Sequence, residues 1–280
     1  MRSATAAAYR IARAEHSGGT LTATVDFDPG APIFAGHYPE LAVVPGVLLI
    51  DIAGLLATEL AGGARWRIHS AQFSSPVHPG TPVTLTADTR ADGEVRIAVS
   101  TGGRKTASIR LRPDDSEPLE TREVAQHPSG EPVVSRLPHR PPMAFLDEAI
   151  TVGDGRLTAH CHRQSIEFHR YSTTFSSPDP AAIWPATLML EAWCQAAAVL
   201  MMTLEPEFTT PAVLISRLAT VRTRAEVEMG ETLELSVRLL ERFPDASTFT
   251  GYAQAGQRTV LDIDRLTATL RPFDQLRSSS

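Results

Sequence analysis

Cysteine is scarce: Cys161 and Cys194 are the only two in 280 residues. Two thiols cannot build a disulfide framework, and neither stands in a CxxC or Cys/His cluster that would suggest a structural metal. Long Lys/Arg blocks are also missing, and the net charge is −6. Such a chain has no stripe to track a phosphate backbone, so nucleic acid is not an expected partner. The opening segment MRSATAAAYRIARAEHSGG is Ala-rich and basic, but it lacks the apolar run of a signal peptide. Glu15 argues against a transit peptide, so a cytoplasmic location is expected. What is present is an ordinary globular composition, 42% apolar and 21% charged. The length has room for two domains of roughly 140 residues.

Two stretches, residues 41–61 and 181–202, are each about as long as a membrane span. Each carries a carboxylate near its middle, Asp51 and Glu191, and each has a proline six residues earlier, Pro45 and Pro185. A charge at that depth costs about 3 kcal/mol on the insertion scale, which favours helices wrapped by protein and no membrane.

The two stretches are related. Pro45-Gly-Val-Leu-Leu-Ile-Asp51 aligns with Pro185-Ala-Thr-Leu-Met-Leu-Glu191 at an offset of 140, half the chain. Self-similarity at that period points to duplication of a whole domain. Each apolar stretch is followed by β-type runs, in which Val83, Leu85 and Ala87 match Leu233, Leu235 and Val237 in alternation. Between the halves, residues 112–134 are rich in Pro, Glu, Asp and Ser and lack periodicity. The expectation is a domain over 1–111, a linker over 112–134 and a domain over 135–280. Each would be a long helix against a curved antiparallel sheet of about five strands, an α+β architecture.

The segment from Phe34 to Asp51 resembles the signature F-x-G-H-F-P-x-x-P-V-x-P-G-x-L-x-x-[ED] of the β-hydroxyacyl-acyl carrier protein dehydratases. It matches at Phe34, Gly36, His37, Pro39, Val43, Pro45, Gly46, Leu48 and Asp51, and departs at Tyr38 and Ala42. In the second half, Leu137-Pro-His-Arg-Pro-Pro-Met143 resembles that family's opening segment, and Pro185 to Gln195 its helix start P-G-x-L-x-x-E-A-x-x-Q. The resemblance implies a double hotdog, two tandem domains that each wrap a sheet around a long helix. Fused dehydratases of polyketide synthases look similar, with histidine in the first hotdog and acid in the second.

The departures are complementary. Fourteen residues before Glu191 stands Ser177 in place of histidine, and Ala186 replaces the glycine equivalent to Gly46. In the homodimeric family each site takes its histidine from one subunit and its carboxylate from the other. That rule implies one intact site, His37 with Glu191, and one relic, Ser177 with Asp51. Removing water from a 3-hydroxyacyl thioester needs a base at C2 and an acid for the C3 hydroxyl. Histidine suits the base because its ordinary pKa is near neutral. Burial of Glu191 would keep it protonated as the acid. Gly46 would offer a backbone N–H to the developing enolate oxygen at a helix start. Gln195, one helical turn on, would orient the Glu191 carboxyl. His139 and Arg140 fall in the family segment and read as structural. His78, His160, His162 and His169 read as strand or surface residues, and Met189, Met201 and Met202 as core filler.

The implied chemistry calls on no metal and no organic cofactor, and the acyl group would arrive on the phosphopantetheine arm of an acyl carrier protein. A homodimer of double hotdogs is compatible with the resemblance. A hotdog thioesterase, a dehydratase that also isomerises the double bond, given the aspartate at position 51, and a non-catalytic hotdog partner are the rival readings, since a fold does not fix a reaction.

Overall fold

The computed structural model describes residues 8–62, 65–114, 137–151, 155–162, 183–205, 211–228 and 230–272. The first half runs β1 (Tyr9–Ser17), β2 (Thr20–Phe27), α1 (Pro32–His37), α2 (Gly46–Ala61), β3 (Trp66–Phe73), β4 (Val83–Thr89), β5 (Val95–Thr101) and β6 (Arg104–Pro113). The second runs β7 (Glu148–Thr151), β8 (Arg156–His162), α3 (Ala186–Leu204), β9 (Pro211–Thr223), β10 (Thr232–Arg242), β11 (Ala246–Ala255) and β12 (Arg258–Pro272).

All twelve strands join one antiparallel sheet in the order β1-β2-β4-β5-β6-β3-β9-β12-β11-β10-β8-β7. Read inward from either end, the two halves have the same order, so the sheet is a duplicated unit joined at β3 and β9. The junction register is Ile68↔Val221, Ser70↔Ala219, Ala71↔Leu218 and Gln72↔Arg217. Each half holds six strands, one more than the sequence pattern suggests. The strand that escapes the pattern is β1, whose residues after Tyr9 are all exposed and so show no apolar alternation. By contrast β4 and β10 bury alternate residues as their sequences imply.

The duplication extends to how each helix begins. Pro45 and Pro185 cap α2 and α3 with φ of −55° and −58° and ψ of 133° and 132°. Just before them, the Val44 N–H donates to Val77 O and the Trp184 N–H donates to Val227 O, each at 2.8 Å. Proline supplies the fixed φ and needs no donor where a helix start would leave one unpaired. The first apolar stretch therefore turns helical only at Gly46, and its 16 residues make a rod of about 24 Å. Among the described residues only α3 is long and apolar enough to cross a membrane, and 83% of its apolar window is buried inside the protein. It packs against β7 to β12, while α2 packs against β2, β3, β4 and β6. Met189, Met201 and Met202 are buried in this core.

Strand β6 continues through Arg112 and Pro113, the first two residues assigned to the linker. Asp114 follows, its N–H donating to Arg65 O at 2.8 Å, and residues 115–134 lie outside the described residues. Leu48 on α2 is fully buried, whereas Leu55 on the same helix is 37% exposed. Leu48→Ala is expected to cost about 2–5 kcal/mol by leaving a core cavity. Leu55→Ala should cost less than about 1 kcal/mol. Urea unfolding of the two variants checks the contrast.

Candidate active site

His37 is the last residue of the short helical turn α1 and is buried. Its Nδ1 lies 3.1 Å from Val43 O. A carbonyl only accepts, so Nδ1 carries the hydrogen and Nε2 keeps its lone pair. The next residue, Tyr38, donates its hydroxyl to Val213 O in β9 at 2.6 Å, which pins the end of α1 to the other half of the chain.

Glu191 lies in the second turn of α3, also buried. Its support comes from Gln195, one turn on, as the sequence suggests. The Gln195 amide donates to Glu191 Oε1 at 3.1 Å and to Met143 O at 2.7 Å, and its carbonyl accepts from the Phe145 N–H at 3.1 Å. With its oxygen and both amide hydrogens spent, Gln195 has one orientation open to it.

The two residues meet. Donor atoms of His37, His139 and Glu191 all lie within 4.8 Å of one another. His139 was the residue that sequence reasoning set aside as structural. Its Nε2 is 3.7 Å from Glu191 Oε1, and its ring centroid is 5.3 Å from that of His37. The segment carrying it docks on α1, where the Arg140 N–H donates to Gly36 O at 2.8 Å. The Arg140 guanidinium donates to the carbonyls of Leu137, Pro138 and His139 at 2.9–3.1 Å and so holds the segment in shape. The signal was present in L-P-H-R, but its value depends on a contact across about a hundred residues that no local pattern displays.

Burial sets the protonation states. It holds the His37 imidazole at about 4, against the opposing hydrogen bond to Val43, rather than near neutral as its ordinary pKa suggests. It pushes the Glu191 carboxyl up to about 7, against the opposing hydrogen bond from Gln195. His139 is held well below its usual value by burial, with the nearby His37 and Arg140 adding to the effect. At neutral pH both imidazoles are therefore uncharged, and Glu191 is poised between acid and carboxylate. Two imidazole nitrogens and a carboxylate oxygen at this spacing are a set that could hold a metal ion or exchange protons as an acid–base group.

Gly46 and Cys194 line the same cavity, whose volume is about 630 Å³. Gly46 is the first residue of α2, where helical N–H groups lack intrahelical partners. A Cβ there would lie 3.0 Å from the Phe73 ring, so glycine leaves the backbone open beside that wall. Asp51 is not among the cavity-lining residues. It is buried on α2, and Thr187 at the start of α3 donates to its Oδ1 at 3.2 Å, which gives it a bridging role between the helices. Ser177, its expected partner in the relic site, lies outside the described residues, as does His169. His160 and His162 are in strand β8, and His78 accompanies an exposed turn with Nδ1 2.9 Å from Ala42 O.

Residues 13–110 match the family of ApeI-like proteins, described as ApeI dehydratase. The 3-hydroxyacyl-[acyl-carrier-protein] dehydratase FabZ of Colwellia psychrerythraea is 37% identical over 79 residues, 24% of this chain and 53% of that protein. FabZ of Solibacter usitatus is 26% identical over 117 residues, 42% of this chain and 70% of that protein. The chain thus spans about half the length of the first of these relatives. Across nearly the whole chain the fold is that of polyketide synthase dehydratase domains. The RzxB dehydratase domain of Pseudomonas fluorescens superposes with a TM-score of 0.73 at 14% identity, covering 94% of this chain and 98% of that one. The PpsC dehydratase domain of Mycobacterium tuberculosis, solved with C12:1-CoA, gives 0.72 at 16%, covering 93% and 98%.

At Gly36 an added Cβ would fall 2.8 Å from Arg140 O, 2.9 Å from Pro142 Cδ and 3.1 Å from Met143 N. Two of these are backbone atoms, so relief requires the His139 segment to lift away from α1. Gly36→Ala is expected to destabilise by about 1–3 kcal/mol, read as a lowered urea midpoint. An unchanged midpoint would mean that the two backbones are not so close. By sequence and shape, this chain is a double hotdog whose residues 13–110 match the ApeI-like dehydratase family and which shares its fold, over 93–94% of its length, with polyketide synthase dehydratase domains.

Proposed function

We propose that the protein dehydrates a 3-hydroxyacyl thioester to the 2-enoyl thioester in fatty acid or polyketide assembly. The observation that carries this reading is the pairing, across one cavity, of a neutral imidazole with a free Nε2 and a buried carboxyl raised to about 7. His37 Nε2 takes the C2 proton. Glu191 gives its proton to the C3 hydroxyl, which departs as water. Charge that develops on the thioester oxygen is met by the Gly46 N–H at the positive end of α2, the kind of preplaced donor worth a few kcal/mol in the transition state. Gln195 fixes the carboxyl so that its proton points into the cavity.

The proton inventory closes with His37 and Glu191 alone, so the reading calls on no metal or organic cofactor. The names of the FabZ relatives support delivery of the acyl group by an acyl carrier protein; a phosphopantetheine arm as the carrier and a cytoplasmic location complete the proposal. Thioester hydrolysis would use an ionised carboxylate to activate water, and burial of Glu191 makes that form scarcer than at an exposed glutamate.

The assay is enoyl absorbance from a 3-hydroxybutyryl-pantetheine thioester, with thiol release followed in parallel. Thiol release without enoyl product would replace this reading with a thioesterase. Glu191→Gln should cut turnover by about a hundredfold or more, the scale for losing a general acid, while Asp51→Asn stays within a few-fold. A larger loss at Asp51 would move the acid to the other helix.

The pH dependence has a definite sign. The base must be deprotonated and the acid protonated, so kcat/KM should rise as pH climbs through about 4 and fall as it passes about 7. Rates from about pH 3 to 9 check both limbs. Activity that keeps rising beyond about 7 would show that Glu191 acts in its ionised form.

A further inference from the structure

His37, His139 and Glu191 bring their polar atoms within 4.8 Å of one another in the cavity, and the chemistry above uses two of them. His139 is the third. Its Nε2 lies 3.7 Å from Glu191 Oε1, and its ring is 5.3 Å from His37 and 5.4 Å from Tyr38. It is buried, and its Nδ1 is a buried polar atom with no hydrogen-bond partner. An unmet buried polar group costs about 1–3 kcal/mol, so its retention asks for a reason. The ring is also held firmly. Arg140 grips the three carbonyls around it, and the backbone hydrogen bond to Gly36 O ties its segment to the turn that carries His37.

The proton inventory shows where a further donor is needed. The C2 proton ends on His37 Nε2, and the Glu191 proton leaves with the water, so a carboxylate is created in a buried site. Gln195 already spends one N–H on Glu191 Oε1 and the other on Met143 O. The Tyr38 hydroxyl is committed to Val213 O, and the His37 Nδ1–H to Val43 O. The Cys194 thiol, also against Glu191, is only a weak donor. Protonated His37 brings an opposite charge into the cluster, and His139, with Nε2 3.7 Å from Glu191 Oε1, is placed to add a neutral N–H donor to the new carboxylate.

Resting on the dehydratase reading, we propose that His139 is a positioning residue that donates its Nε2–H to the Glu191 carboxylate as the leaving hydroxyl takes the proton. The resting separation of 3.7 Å would close by about 1 Å to reach a charge-assisted hydrogen bond of about 2.7–2.9 Å. An interaction that strengthens only as the carboxylate forms raises kcat and leaves binding alone. Because burial keeps His139 uncharged, it donates a hydrogen bond without ionising Glu191 beforehand. The other ionisable groups against Glu191 are His37, Tyr38 and Cys194, and substitution at 139 leaves all three in place.

His139→Leu removes the donor, and His139→Gln returns an N–H near the Nε2 position. With 3-hydroxybutyryl-pantetheine, His139→Leu is expected to lower kcat about tenfold or more with KM within about threefold. It should also move the basic limb of the kcat–pH profile up by about one pH unit, because a carboxylate deprived of a donor forms less readily. His139→Gln should recover most of kcat and the wild-type limb. Equal losses in both variants, or a KM effect with an unmoved limb, would overturn the assignment and leave His139 as packing. A ¹³C titration of the Glu191 carboxyl in the full chain, identified by its loss in Glu191→Gln, reads the same shift without turnover. An inactive wild type whose Glu191 midpoint still rises in His139→Leu alone would sink the dehydratase reading but support the hydrogen bond. Unchanged midpoints would sink the hydrogen bond. Should His139→Leu fail to fold, His139→Asn takes its place, since its amide reaches only as far as Nδ1, and it is expected to behave as the leucine variant would.

Discussion

A carboxyl group buried on an apolar helix must be neutral or fully partnered, and much of the site follows from that constraint on Glu191. Its neighbours on α3 are Leu190 and Trp193, both buried, and the sheet of the second half covers the helix around them. These apolar neighbours cannot solvate a charge, which leaves that task to the polar groups of the cavity. Gln195 satisfies one oxygen and is itself locked by Met143 and Phe145, so the carboxyl is oriented while burial still holds it up at about 7. The same dry surroundings strip His37 of its usual basicity and keep it neutral. A single physical cause, exclusion of water, thus favours the neutral form of both groups, lowering the imidazole and raising the carboxyl side by side.

Two halves are needed to achieve this, and the sheet shows why. Joining β3 to β9 makes one continuous surface, so the wall beside His37 is built partly from Val213 of the other half. The duplicated helices then diverge in what they hold. Glu191 opens on the cavity with Gln195 behind it, whereas Asp51 is turned to Thr187 and bridges the two helices. A carboxylate one methylene shorter, hydrogen-bonded between helices, is suited to fastening them rather than to meeting a substrate.

Much of this was legible in the sequence because the features concerned are local. Proline followed by an apolar run marks both helix starts, and alternate apolar residues mark β4 and β10. The His37–Glu191 pairing could be read from complementary losses at equivalent positions. Strand β1 was not legible, since its exposed residues pair with β2 through the backbone and leave no apolar rhythm. The β3–β9 junction was equally silent, because its partners lie about 150 residues apart and both strands carry mixed faces. His37 reads from sequence as a near-neutral base, but it closes a buried helical turn, where desolvation outweighs its intrinsic pKa.

His139 illustrates a different limit. Its neighbours in sequence, Pro138 and Arg140, say that the backbone is stiff and held, which fits a structural segment. Stiffness and function are not alternatives here. The close approach of Arg140 O to Gly36 requires the absence of a side chain at 36, and that same glycine immediately precedes His37. The backbone that positions the base is therefore the surface on which the third imidazole is docked. Any shift of one ring displaces the other, so the spacing between His37, His139 and Glu191 is fixed by main-chain packing rather than by side-chain contacts alone. A site held in this way needs few hydrogen bonds among its own reactive groups, which leaves their lone pairs and protons free for a substrate.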